Sequence, residues 1–162
     1  SNSPVAALER GEICIKGPNI MKGYWNRPDA TASAIDELGW FHSGDVGYLD
    51  EEGYLYICDR LKDMVISGGE NVYPAEVESV LFEHPAVAEV AVIGLPDDKW
   101  GEAVTAVAAL VPGADLSVEQ LRSFAETKLA RYKLPLRLHV VDALPRNPAG
   151  KVLKFQLRES LA

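Results

Sequence analysis

Residues 59–78, which read DRLKDMVISGGENVYPAEVE, make the chain change its structure repeatedly within twenty positions. Met64, Val65 and Ile66 read as a short buried strand. Gly68 and Gly69 follow, and consecutive glycines permit positive φ and let another backbone or a ligand come close. Pro74 suits the first turn of a helix that carries Val77, Val80 and Leu81 on one face. In front of all this, Asp59, Arg60, Lys62 and Asp63 alternate in sign. The bland interpretation is a strand, a turn and a helix among solvated charges, and only the rest of the chain can say whether the stretch does more.

Upstream, the pattern is mostly strand. GEICIK at 11–16 alternates apolar and polar residues and is ended by Gly17-Pro18-Asn19. Pro28-Asp29 can open a short helix through Ile35 that stops near Gly39. Trp40 and Phe41 run into His42-Ser43-Gly44-Asp45, which suggests a strand end presenting a carboxylate. VGYLD at 46–50 and YLYIC at 54–58 flank Glu51-Glu52-Gly53, a hairpin with glycine where a left-handed residue is needed.

Downstream, helices and strands alternate. A helix covers 74–83, and 86–93 and 103–111 are nearly continuous apolar strands, as in a sheet covered by helices. Pro96-Asp97-Asp98 reads as the turn between them. Ser117 and Gln120 make a capping box for a helix with Leu121, Phe124, Ala125 and Leu129 as its buried stripe. LRLHVV at 136–141 is a third strand, PRNPAGK at 145–151 a loop of turn formers, and 152–160 a closing helix. The expected fold class is α/β (α+β). A strand-rich segment with a hairpin occupies 1–59, and a small domain with a mostly three-stranded sheet covered by helices occupies 60–162.

The first piece is too small and too strand-rich to bury itself well alone, so the chain is expected to be part of something larger. A formal net charge of -8 argues against an electrostatic grip on nucleic acid or anionic lipid. Cys14 and Cys58 each lie in an apolar run and read as buried thiols of a cytosolic protein. No apolar run is long enough to span a bilayer, and Ser1 and Asn2 read as an expression remnant. His42, His84 and His139 show no metal-ligand spacing with the two cysteines, so no metal site is expected. Gly68-Gly69 is no P-loop, because the glycine spacing and the following Lys-Ser/Thr are absent.

Four segments, in order, carry a resemblance to a known family: WFHSGD at 40–45, the stretch 59–78, PDDKWG at 96–101 and LPRNPAGK at 144–151. From Gly11 to Arg158 the chain resembles the C-terminal part of adenylate-forming enzymes, the superfamily of acyl-CoA synthetases, adenylation domains and luciferases. Within it, residues 59–78 are most similar to fatty-acyl and aryl-CoA synthetases. The resemblance implies a carboxylic acid activated by Mg-ATP to acyl-AMP, then transferred to CoA, with residues 60–162 as a mobile lid that turns between the steps. A fatty acid is the first expectation for the acid, and a cinnamate- or benzoate-type aryl acid the alternative. Acylation of a carrier protein in place of CoA stays open, as does a non-catalytic module that binds a nucleotide, CoA or a partner.

The family's motifs assign roles residue by residue. Asp45 matches the ribose-binding aspartate, whose paired acceptor oxygens suit two hydroxyls. Arg60 matches an arginine beside the ribose and phosphate, against the bland alternative of an ion pair with Asp59 or Asp63. Lys62 falls at the hinge, where the backbone and not the lysine chemistry matters. Gly68 and Gly69 match backbone along the pantetheine passage; Trp100, Tyr132 and Lys133 match residues near CoA. The bland alternatives are a tight turn for the glycines and a core tryptophan for Trp100. Lys151 matches the lysine that supports adenylation, a charge aimed at the α-phosphate; otherwise it is an exposed lysine at a helix start, which the dipole disfavours. The phosphate-gripping loop, the acyl pocket and the Mg2+ carboxylate are expected upstream, in the missing N-terminal domain. The implied location is cytoplasmic, peripheral at a membrane for a long-chain acid.

Overall fold

The alternation in GEICIK becomes strand β1 (Gly11–Ile15), which pairs with β2 (Phe41–Leu49), which pairs in turn with β3 (Leu55–Arg60). Both ladders are antiparallel. The computed structural model describes residues 3–162, so Ser1 and Asn2 lie outside the described residues. The chain divides into two compact units between Lys62 and Asp63, three residues beyond the division expected at 59/60. In the first unit, helix α1 (Pro28–Ala34) begins with the expected proline, and Gly53 closes the β2–β3 hairpin at φ 85°.

Strand β2 starts five residues before the expected VGYLD strand, at Phe41 and not Val46. Asp45 therefore lies inside the strand and not at its end. The pairing with β1 tolerates this through an irregularity: register passes from Glu12↔Val46 to Cys14↔His42. The unit covers little of itself, leaving Leu55 48%, Tyr56 48% and Ile57 68% exposed. Its cysteines are not the buried thiols expected. Cys14 is exposed and Cys58 half-buried, because both strands that carry them are edges of a three-stranded sheet.

The second unit begins with a hairpin of β4 (Val65–Ser67) and β5 (Glu70–Val72), then helix α2 (Pro74–Phe82). Strands β6 (Val87–Asp97) and β7 (Gly101–Leu110), helix α3 (Val118–Ala125), strand β8 (Arg137–Val140) and helix α4 (Lys154–Leu161) complete it. The sheet runs β5-β4-β7-β6, with β8 parallel to β7. The three expected strands are all present, and the small β4–β5 hairpin raises the sheet to five. β5 was not legible, because Glu70-Asn71-Val72 has no strand pattern of its own. The Gly68-Gly69 turn recruits it by pairing Ser67 with Glu70. Pro96 and Asp97 extend β6 where a turn was expected; an edge strand accepts proline, since its outward N–H needs no ladder partner.

Side chains of β6 alternate between two clusters. Val92 packs with Val77, Leu81, Leu121 and Ala125 beneath α2 and α3. Its neighbours Ala91 and Ile93 pack with Leu95, Val107, Leu144 and Leu157 beneath α4. Helices cover both faces, which is why β6 and β7 read as unbroken apolar runs. The capping box of α3 is formed: Gln120 N–H donates to Ser117 Oγ at 3.2 Å, and Ser117 N–H to Gln120 Oε1 at 2.8 Å. Leu81 is fully buried, whereas its neighbour Phe82 is 60% exposed. Leu81→Ala is expected to destabilise the unit by about 2–5 kcal/mol and Phe82→Ala by less than about 0.5 kcal/mol, as read by urea denaturation.

Candidate functional site

The first unit brings Asp45 and Arg60 together. They are cross-strand partners on β2 and β3, with Arg60 Nε 2.9 Å from Asp45 Oδ1. Asp59 Oδ1 accepts Arg60's own N–H at 2.7 Å, and Asp63 pairs with Arg158 Nη2 at 2.9 Å. Both side chains of the Asp45–Arg60 pair are partly open to solvent, so the pair contributes little to stability. What it supplies is placement: a carboxylate held by a fixed guanidinium, with its acceptor capacity only partly used.

Beside Asp45 lies a cluster that the sequence reading missed. Glu12 Oε2 is 2.8 Å from His42 Nδ1, and Glu12 Oε1 accepts the Gly44 N–H at 3.1 Å. Asp36 Oδ2 stands 3.8 Å from His42 Nε2. The hydrogen bond to Glu12, reinforced by the Glu12 and Asp36 charges, raises the His42 pKa above its ordinary value. Cys14 Sγ lies 3.6 Å from His42 Nδ1, and donor atoms of Glu12, Cys14 and His42 all fall within 4.8 Å of one another. Chain spacing showed no such grouping, because strand pairing creates it. Partial burial and then the two carboxylates push the Cys14 thiol up, which keeps it protonated and a poor ligand.

Lys62, the last residue of the first unit, is exposed in the 3-10 turn Leu61–Asp63, and Asp63, the first of the second, is tied down by Arg158 of α4. Gly68 and Gly69 take φ of 61° and 84°, the two left-handed positions of a tight hairpin. Gly68 also lies against Trp100: its N–H donates to the Trp100 carbonyl at 2.8 Å, and a Cβ there would stand 2.9 Å from Trp100 Cε3. A Cβ on Gly69 would meet open space. Trp100 is no core tryptophan, being 39% exposed. Asp97 fixes it, accepting the N–H groups of Lys99 at 3.0 Å and Trp100 at 3.1 Å on Oδ1 and Arg137 Nη2 at 2.7 Å on Oδ2. These donors, the Lys99 N–H foremost, hold the Asp97 carboxyl below its ordinary range.

Tyr132 and Lys133 lie on the 3-10 turn Arg131–Lys133, which contacts β5. Tyr132 is exposed, whereas Lys133 is largely buried and paired with Glu76. Gly68, Gly69, Trp100, Tyr132 and Lys133 thus gather around the β4–β5 hairpin.

Lys151 belongs elsewhere. Its loop is pinned by Asn147, whose Oδ1 accepts the Lys151 N–H and whose own N–H donates to the Lys151 carbonyl, both at 2.9 Å. Arg146 ties the loop to β6 through Glu89 at 3.0 Å. The Lys151 side chain is exposed. Helix α4 starts only at Lys154, so the expected misfit of Lys151 with a helix dipole does not arise. Glu89 and Asp97 are eight residues apart on β6, about 26 Å of extended strand. The Lys151 loop and the Trp100 turn are therefore fastened to opposite ends of the same strand.

Residues 76–151 match the family model for the AMP-binding enzyme C-terminal domain. Over 149 residues the chain is 57% identical to Long-chain-fatty-acid–CoA ligase FadD13 of Mycobacterium tuberculosis (strain ATCC 25618 / H37Rv), covering 92% of this chain and 29% of that protein. Over 155 residues it is 54% identical to 2-succinylbenzoate–CoA ligase of Geobacillus kaustophilus (strain HTA426), covering 96% and 31%. A solved structure of o-succinylbenzoate CoA synthetase (MenE) from Bacillus subtilis, in complex with the acyl-adenylate intermediate OSB-AMP, superposes with a TM-score of 0.86 at 49% identity, over 95% of this chain and 31% of that one. The chain thus spans about a third of the length of the relatives it matches. Among the described residues, no helix is long and apolar enough to cross a membrane.

The raised His42 pKa has a definite sign. Its contribution to stability is complete below the unfolded value of about 6.5 and fades as pH rises through the folded value. Ring titration by NMR is expected to place His42 above about 6.5, and Glu12→Gln to remove most of the increase. A His42 that titrates at the free-imidazole value would contradict the Glu12 contact.

Proposed function

Because the chain belongs to the adenylate-forming superfamily, as its C-terminal part with an AMP-binding enzyme C-terminal domain, we propose that the protein containing it is an AMP-forming acyl-CoA synthetase. A carboxylate attacks the α-phosphate of Mg-ATP to give acyl-AMP and pyrophosphate. The CoA thiol then attacks the acyl carbon and AMP leaves. The observation that carries this reading is the separation along β6: the exposed Lys151 loop is held at the Glu89 end and the Gly68–Trp100 corner at the Asp97 end. Two half-reactions that use one lid in two orientations call for two such working ends.

In this reading residues 1–59 end the large adenylation domain and 60–162 form the lid. Asp45 takes the ribose hydroxyls, and Arg60 both orients that carboxylate and faces the phosphate side. Lys62 is the pivot. Lys151 brings positive charge to the α-phosphate as negative charge develops there. Gly68 and Gly69 line the passage of the pantetheine arm, the open space at Gly69 leaving room for it, while Trp100 and Tyr132 offer flat surface near CoA. Lys133 meets a CoA phosphate by exchanging Glu76 for it. The bare Leu55, Tyr56 and Ile57 surface seats the remainder of the adenylation domain.

Mg2+ prefers a shell of oxygens, and the Glu12, Cys14 and His42 group brings a thiol and an imidazole. Its ligands lie upstream, and no role falls to this chain. The acid is first a fatty acid, the substrate class that the FadD13 name carries. An aryl acid is the second reading, supported by similarity to 2-succinylbenzoate–CoA ligase and Feruloyl-CoA synthase. The protein works in the cytoplasm, at a membrane surface where the acid is long-chain. Parallel assays with CoA and a carrier protein as acceptor separate the two thiols.

Lys151→Ala in the full-length protein is expected to abolish pyrophosphate release while sparing acyl transfer from supplied acyl-AMP to CoA. Equal loss of both steps would make Lys151 structural. The isolated chain is expected to form no acyl-AMP from ATP and a panel of acids, and clear turnover would sink the assignment of the missing parts.

A further inference from the structure

The segment that carries Asp45 leaves the regular ladder. Between Glu12↔Val46 and Cys14↔His42, the single residue Ile13 of β1 stands opposite Ser43, Gly44 and Asp45 of β2. Such a bulge re-aims side chains. Gly44 sits within it at φ 72°, and a Cβ there would meet nothing within 4 Å. Backbone conformation, not space, therefore demands glycine.

An unpaired excursion of this kind needs bonds to fix its shape. One side chain from the neighbouring strand supplies two of them: Glu12 Oε1 accepts the Gly44 N–H at 3.1 Å, and Oε2 meets His42 Nδ1 at 2.8 Å. Within the bulge, Ser43 Oγ accepts the Asp45 N–H at 3.1 Å. Glu12 is only 23% exposed and thus reaches in from β1 to grip the start and middle of the bulge at once. On the far side, Arg60 of β3 holds the Asp45 carboxylate. We propose that Glu12 is a positioning residue for the nucleotide: it fixes the bulge so that Asp45 faces the ribose hydroxyls. The inference rests on the reading of Asp45 as the ribose ligand.

The test is nucleotide discrimination in the full-length protein, as the ratio of kcat/KM for ATP to that for 3′-deoxy-ATP in pyrophosphate release. Asp45→Ala first tests the ribose reading; if it leaves the ratio unchanged, that reading fails and the proposal for Glu12, which rests on it, falls with it. Given a lowered ratio in Asp45→Ala, Glu12→Met is expected to lower it by about tenfold, and Glu12→Met with Asp45→Ala to lower it no further than Asp45→Ala. Glu12→Gln, which keeps a carbonyl acceptor for the Gly44 N–H, is expected to retain most of the preference. A merely structural role would reduce turnover of both nucleotides equally and leave the ratio intact, which overturns the proposal. Should Glu12→Met fail to fold, Glu12→Asp decides. Its shorter arm cannot span both contacts, so an unchanged ratio there overturns the proposal too.

Discussion

The second unit depends on the long antiparallel ladder between β6 and β7. A two-stranded ribbon is marginal by itself, and this one is secured because both of its faces are buried. Val92, Val104 and Ala106 are covered on one side, and Ala91, Ile93 and Val107 on the other. The ladder then acts as a rigid beam. Asp97 at one end fixes the turn that carries Trp100, and Glu89 near the other fixes the loop that carries Lys151. Positions on a packed beam hold their separation, whereas two surface loops without one would drift.

The first unit has no comparable core and gains its order from polar contacts. Glu12, His42, Asp36 and Arg60 set the path of β2 around Asp45. Placing the carboxylate there takes a bulge, a left-handed glycine and a ring of charged neighbours. Its aromatic and aliphatic side chains at Leu55, Tyr56 and Ile57 stay largely uncovered, in a chain that spans about a third of the length of the relatives it matches. At the start of the second unit, Asp63 is fastened to α4 by Arg158, so the packing of that unit begins with its first residue.

Much of this was legible because local chemistry agreed with tertiary need. The Ser117–Gln120 cap, the proline-led α2 and the paired glycines each declare their structure within a few residues. The continuous apolar runs of β6 and β7 declared a sheet covered by helices. What stayed hidden depends on partners distant in sequence. β5 exists only because a turn folds it onto β4, and Pro96 is admitted only because β6 ends the sheet. The Glu12–His42 contact spans thirty positions and follows from a bulge no period reveals. Among the candidate site residues, motif matches singled out Asp45 and Arg60 separately, and their pairing became visible only across the β2–β3 ladder.

One further consequence follows from how the outer side of β6 is finished. An edge strand presents unpaired N–H and C=O groups that can template a foreign strand. Here the Val92 N–H is taken by Glu78 Oε1 at 2.7 Å, and Lys154 Nζ closes on the same oxygen at 2.7 Å. Farther along, Arg146 and Glu89 lie across the strand's start. A second copy seeking to extend the sheet would have to displace these ion pairs before its first backbone bond formed, so the apolar edge strand of the unit is also shielded from fibrillar stacking.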